Sequence, residues 1–278
     1  MNLWFFGSDK YSQIVLNSLK KEPNIKITKI ISPAGMRHLI ISNFPHPDVG
    51  VLASFGAIVP PEILNFPKKG ILNIHPSLLP KYRGPSPVQT AILNGEWQTG
   101  VTIIKMDEKI DHGPIVAQFT EEILPTDTSE SLYFRLFSAG AEVLKTILPA
   151  YLEGRIELRE QNHSAATYTK KLTRDDGFIP LKKLKEAMEG RKADRVGRQI
   201  RAFYPWPGSW TEITIPDRKA KPIRDRQNKR LKILKAHLEN GKLILDQVQL
   251  DGKKPVSFKQ FCEGYPEAEL AKLASKNF

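Results

Sequence analysis

Cysteine is almost missing from this chain. The single residue, Cys262, excludes an internal disulfide framework and any zinc site built from several cysteines. Long apolar runs are missing as well, none approaching the ~20 residues that a membrane-spanning helix needs. The opening MNLWFFGSDK reaches Gly7, Ser8 and Asp9 too early to serve as a secretion signal. Phosphate-loop signatures are also lacking: Gly7-Ser8 follows the first apolar run without a full GxGxxG or a Walker sequence. That argues against a conventional dinucleotide or ATP enzyme. A soluble, cytoplasmic protein with no membrane attachment is the expectation.

What is present is enough for a large core. The chain has 278 residues, of which 40% are hydrophobic and 26% charged, so disorder of the whole is excluded and two domains are expected. The net charge of +12 is unevenly placed. Residues 1–168 hold 16 Lys and Arg against 16 Asp and Glu, whereas residues 169–278 hold 26 against 14, which accounts for the entire excess. A neutral half joined to a basic half suggests two tasks, and nucleic acid is the commonest polyanion for the second. A merely solubilising surface fits the charge about as well. The aromatics of IRAFYPWPGSW (Phe203, Tyr204, Trp206, Trp210) could stack on bases, but the interspersed Pro205, Pro207 and Gly208 favour turn and core packing.

Short β-type runs at Leu3–Phe6, Lys26–Ile31, Val49–Ala53, Ile71–Ile74, Val101–Met106 and Ile115–Phe119 alternate with helical patterns at Tyr11–Lys20, Pro85–Asn94 and from Asp127 or Thr128 to Leu148. Pro149 and Gly154 are expected to stop the last helix. This alternation predicts an α/β architecture, a Rossmann-like, mainly parallel sheet, over residues 1–154. A polar stretch at 155–170 reads as a linker. Residues 171–278 read as a basic, small OB-like β-barrel domain, with helices at Leu181–Met188 and Asp194–Ala202 and strands at Trp210–Ile215, Leu231–His237 and Lys242–Leu250.

The least ordinary segment is Leu72–Gly84, LNIHPSLLPKYRG. Alternation along a strand points Asn73 and His75 the same way, at the carboxyl edge where open α/β sheets bind ligands. An amide donor and an imidazole aimed at one spot could stabilise negative charge developing on a carbonyl oxygen. Taken alone, the same residues fit slightly better a hydrogen-bonded Asn and a satisfied, half-buried His. A second segment, KMDEKIDHG, offers Asp111, and a carboxylate beside His75 would favour the imidazolium form. Asp107 and Glu108 read as solvated charges, His112 as an exposed loop residue, and the cluster is too small and too close in sequence for a metal, so none is expected.

NIHPSLLPKYRG, a helix, and then GVTIIKMDEKIDHGPIVAQ together resemble the folate-dependent formyltransferases. LWFFGSDKYSQIVLNSL, RGPSPVQTAILNG, IRAFYPWPGSW and LDGKKPVSF are similar to the branch of that family acting on methionyl-tRNA. The resemblance spans most of the chain. It implies a Rossmann-like catalytic domain followed by an OB-like one, 10-formyltetrahydrofolate as donor, and methionyl initiator tRNA as acceptor and partner. Asn73, His75 and Asp111 correspond to the family's catalytic set. Ser77, Leu78, Leu79 and Pro80 correspond to its folate contacts, with Phe55, Gly56, Ile58 and Met106 as candidates for the pterin pocket. Lys170, Lys171, Arg198 and Arg201 are then candidates for tRNA phosphates. A monomer is expected.

One departure from the family pattern concerns Ser32–Asp48. Only 17 residues separate the second and third β-type runs there, enough for one short helix but not for a further strand and helix. The basic insertion loop that the family uses on the acceptor stem has no counterpart, since only Arg37, His38 and His46 are potentially basic. Two other activities therefore stay open: formyl transfer to a small amine such as an amino-sugar nucleotide, and a non-catalytic folate- or RNA-binding relative.

Overall fold

The computed structural model describes residues 1–216 and 226–275. The chain divides into two compact units. The first comprises residues 1–91, 96–125 and 131–171; the second comprises 92–95, 126–130 and the chain from Leu172 onward.

The first unit is built on a six-stranded sheet of β1 (Asn2–Phe6), β2 (Lys26–Ile31), β3 (Val49–Ala53), β4 (Ile71–His75), β5 (Gln98–Lys105) and β6 (Ile115–Glu122), in the order 2-1-3-4-5-6. The first four strands run parallel; β5 and β6 are antiparallel to their neighbours. This is the mainly parallel α/β sheet that the alternating pattern predicts. Between β1 and β2 lies α1 (Lys10–Leu19), capped by Asp9, whose carboxylate accepts from the Ser12 N–H at 2.8 Å. Alternation sends Trp4 and Phe6 to one face. There they pack with Met36, Phe55, Ile63, Leu64, Phe66 and Ile71. Burying each such side chain contributes roughly 1.5–3 kcal/mol.

The 17-residue stretch after β2 forms the single short helix α2 (Pro33–Met36) and one 3₁₀ turn before β3, and β2 is left as the sheet edge with Ile30 48% exposed. The short helix α3 (Pro61–Leu64) precedes β4, and α4 (Pro87–Asn94) follows it. The long helix α5 (Ser129–Leu152) buries Leu132, Leu136, Ala141, Leu144 and Leu148 along one stripe. Its backbone comes so close to the sheet at Gly140 that a Cβ there would sit 2.9 Å from Ile74 Cγ2.

Pro149 does not stop α5 as expected; the helix continues to Leu152. Proline removes only its own N–H. The next carbonyls are still used, with Glu153 N–H donating to Pro149 O at 3.1 Å and Arg155 N–H to Ala150 O at 2.9 Å. The added turn carries Tyr151, whose buried hydroxyl donates to Lys69 O at 2.7 Å.

Burial pushes the Tyr151 phenol up to about 12, against an ordinary 10. The unfolded chain therefore loses this proton first, so the contribution is complete below pH 10 and is lost between about pH 10 and 12. Tyr151→Phe should cost about 1 kcal/mol at pH 8 and flatten the decline above pH 10. Urea unfolding at both pH values checks this, and parallel stability curves for the two proteins would refute it.

Residues 155–170, the expected linker, run against the first unit. Arg159 bridges Ile115 with backbone bonds of 2.7 and 2.9 Å, and Thr167 and Thr169 bond the backbone of Arg83. Polar side chains at Gln161 and Thr169 supply bonds that an isolated linker would leave to water.

The second unit carries an antiparallel sheet of β7 (Ser209–Pro216), β8 (Arg226–Glu239), β9 (Lys242–Leu250) and β10 (Val256–Ser257), ordered 10-9-8-7. Asn240 and Gly241, both at positive φ, form the two-residue turn between β8 and β9. Helices α6 (Leu181–Met188), α7 (Ala193–Ala202), α8 (Phe258–Gly264) and α9 (Glu269–Ala274) share one apolar core with this sheet. The free edge of β7 gains a parallel bridge between Trp210 and Phe178. Among the described residues, no helix is long and apolar enough to cross a membrane.

Candidate active site

The candidate site lies at the carboxyl end of β4. Asn73 and His75 leave the same face of the strand and are 8% and 4% exposed. Asp111 comes from the loop between β5 and β6 and meets both. The Asn73 side-chain amide donates to Asp111 Oδ1 at 3.2 Å, and His75 Nδ1 lies 3.5 Å from the same oxygen. The other carboxylate oxygen accepts from the Gly84 N–H at 2.8 Å. His75 Nε2 faces the Tyr82 carbonyl at 3.0 Å. Both ring nitrogens thus face oxygen acceptors.

Two backbone features make this meeting possible. Asp111 sits at φ +47, a left-handed conformation that turns the loop back toward β4. Gly113 lets the loop close onto β5, where a Cβ would lie 1.9 Å from Lys105 O.

The loop after His75 is fixed by internal bonds. Ser77 Oγ donates to Lys81 O at 2.7 Å, Thr102 Oγ1 donates to Ser77 O at 2.6 Å, and Leu79 N–H donates to Thr102 Oγ1 at 3.0 Å. Gln118 Nε2 adds a bond to Leu79 O at 2.9 Å. Ser77 and Leu79 are buried, Leu79 packing on Ile104 and Ile115, while Leu78 and Pro80 are half-buried. Of the four possible folate contacts, Leu78 and Pro80 therefore retain the more accessible side chains.

Phe55 is buried edge-on against Phe6, and Met106 packs on the same cluster. Gly56, at φ +69, has open space above it, and Ile58 is 77% exposed. Ile58 therefore lines no enclosed wall, unlike Phe55.

The possible phosphate ligands divide between the units. Lys170 and Lys171 end the first unit, the Lys170 carbonyl accepting from Ser86 Oγ at 2.6 Å. Arg198 and Arg201 lie on α7 of the second. Arg198 is ion-paired with Asp194, and Arg201 donates to Asp127 O at 3.0 Å. Burial holds the Arg201 guanidinium below its ordinary range. Phe203 is core, Trp206 is half-exposed, and Trp210 is covered by Phe178 and by the Arg230 guanidinium 3.8 Å from its ring. The expected packing roles thus hold for Phe203 and Trp210.

A family model described as formyl transferase matches residues 42–148, and one described as formyl transferase, C-terminal domain, matches residues 190–243. A methionyl-tRNA formyltransferase of Roseiflexus castenholzii (strain DSM 13941 / HLO8) is 40% identical over 221 residues, covering 76% of this chain and 68% of the relative. The chain belongs to the methionyl-tRNA formyltransferase family. A second relative of the same name, from Roseiflexus sp. (strain RS-1), is 46% identical over 183 residues, covering 65% of this chain. That match spans 54% of the relative, about half its length. Among solved structures, methionyl-tRNA formyltransferase from Clostridium thermocellum is similar with a TM-score of 0.65 at 20% identity, covering 90% of this chain and 98% of that one. The N-formyltransferase from Helicobacter canadensis, solved in complex with folinic acid and dTDP-3-aminofucose, reaches 0.60 at 21% identity, covering 92% and 98%. At these identities the two structures speak for the fold.

Several residues around the site carry no signal that a sequence reading uses. Arg83 is 1% exposed, and its guanidinium donates to Gln161 Oε1 at 2.6 Å and Tyr168 Oη at 3.3 Å, and faces His163 Nδ1 at 2.9 Å. Partial desolvation, then the neighbouring His112 and Arg83, holds the His163 imidazole below its usual range. Tyr82 and Gly84 act through backbone atoms, which no side-chain pattern reveals. Among the described residues, no group of His, Cys, Asp or Glu could hold a metal ion.

Proposed function

We propose that this chain transfers the formyl group of 10-formyltetrahydrofolate to the amino group of methionyl initiator tRNA. The observation that carries the proposal is the convergence of Asn73, His75 and Asp111 on one spot beside a rigid loop, in a chain of this family. In the proposed reaction the amine attacks the formyl carbon, and the carbonyl oxygen becomes a tetrahedral oxyanion. Asn73 Nδ2–H and protonated His75 stabilise that charge. Asp111 keeps the imidazolium in place and takes part in moving the proton from the attacking nitrogen to N10 of the folate as the C–N10 bond breaks, through water.

Leu78 and Pro80, with Ser77 and Leu79 behind them, would border the folate; Phe55, Gly56 and Met106 would shape the pterin end, with Ile58 at its rim. Lys170, Lys171, Arg198 and Arg201 would hold tRNA phosphates. Residues 1–154 would then form the catalytic domain and 171–278 the basic one.

A second reading, formylation of an amino-sugar nucleotide, is favoured by one observation, the shortness of the 32–48 stretch with α2 as its only α-helix. Transfer assays with initiator methionyl-tRNA, elongator methionyl-tRNA and an amino-sugar nucleotide separate the readings. Transfer to initiator tRNA alone is the expected result. Equal transfer to both tRNAs would mean that discrimination is lost with the insertion loop. Transfer only to the sugar nucleotide would replace the proposal by the second reading, and no transfer to any of the three would refute both.

A further inference from the structure

Asp111 is held from two directions by one side-chain relay. Gln161, 5% exposed, turns its amide nitrogen to the loop and donates to Asp111 O at 2.9 Å and to Gly113 O at 2.8 Å. Its amide oxygen accepts from Arg83. Arg83 is followed by Gly84, whose N–H holds the Asp111 carboxylate. Residues 83–84 thus grip the carboxylate directly and its backbone through Gln161.

The grip falls on a non-glycine residue in a left-handed conformation, which is strained and persists only where its surroundings enforce it. None of the hydrogen-bond partners that Arg83 meets is a carboxylate, and its Nε is buried without a partner. A buried guanidinium is costly, so fixing the amide of Gln161 is a strong reason to keep it there.

We infer that Gln161 is a positioning residue for the transfer reaction, holding the Asp111 loop so that the carboxylate meets Asn73 and His75. Arg83 fixes which way its amide points. The inference rests on the proposed function for its kinetic part, but its geometry stands by itself.

Gln161→Glu separates positioning from folding. The variant keeps the volume and gives Arg83 a counter-charge, which offsets part of the cost of the two lost bonds, so the protein should remain folded at the assay temperature. It replaces the donor with a carboxylate oxygen facing two carbonyls. The expected result is a kcat reduced about tenfold or more, a donor KM within twofold, and faster amide exchange over residues 106–114 in the free protein. Gln161→Met, which removes donor and acceptor without adding charge, should show the same kinetic split.

A kcat within twofold of wild type in both variants, or exchange unchanged over 106–114, would overturn the inference. So would loss of activity that merely follows a fall in thermal stability. If the wild-type chain transfers no formyl group, the functional reading fails, while the exchange comparison still decides whether Gln161 holds the loop.

Discussion

Asp111→Asn should slow formyl transfer by about 10³-fold without unfolding the protein. Asparagine has the same shape, so its carbonyl oxygen can still accept from the Gly84 N–H, and the backbone bonds from Gln161 remain. The loss is at the other oxygen. There Asn73 Nδ2 donates and His75 Nδ1 approaches, and an amide NH₂ in that place sets a donor against both. Either Asn73 reverses its amide and withdraws its donor from the reaction, or the Gly84 N–H loses its acceptor and the loop shifts. Removing one oxyanion donor costs about 10²–10³ in rate, and in the proposed mechanism the imidazolium also loses the charge beside it. Single-turnover transfer measures the effect, with the Asn73→Ala, His75→Ala double variant as the floor. These residues act as one unit, so the double variant should be only modestly slower than the worst single one. A loss of less than tenfold in Asp111→Asn would remove Asp111 from the chemistry.

The elements that frame this site were readable because each obeys one period. β2 and β3 have the bounds that their Ile- and Val-rich runs predict, and α6 occupies Leu181–Met188 as its apolar spacing requires. Asn73 and His75 follow from alternation alone, two residues apart on a strand whose end is marked by Pro76. Asp111 is harder. Its left-handed backbone is what brings it to His75, and no periodicity encodes that conformation. Pro149 misleads because one proline near a helix end removes a single bond, not the turn.

Gln161 is the least legible of all. It lies 50 residues from Asp111 and 78 from Arg83, in a polar stretch without regular structure. Local pattern has no access to partners so far apart, and a segment that exchanges backbone bonds with the rest of the first unit looks, from composition, like a linker. The Asn240-Gly241 turn is the opposite case. The dipeptide fixes a two-residue hairpin locally and was available to reasoning from sequence.

The second large effect concerns the basic half. If Lys170, Lys171, Arg198 and Arg201 each neutralise one tRNA phosphate, the logarithm of affinity should fall with the logarithm of salt at a slope near −3.6. Raising salt from about 50 to about 200 mM would then weaken tRNA binding by about 10²-fold. The four do not start equal. Arg198, half-buried with its Nε enclosed, must exchange its exposed partner Asp194. Arg201 must give up its bond to Asp127 O while partly desolvated, so it can contribute least. If each lysine holds one phosphate, replacing Lys170 and Lys171 together should shift the slope by about two, whereas Arg201→Gln should move it by much less than one. Filter binding across a salt series reads both. A wild-type slope shallower than −1 would show that the charge excess of residues 169–278 does not serve RNA, and would turn the acceptor toward a small amine. A steep slope unchanged by the two lysine substitutions would keep RNA as partner and move its footprint elsewhere, with the exposed cations of β8, such as Lys232 and Lys235, the next to replace.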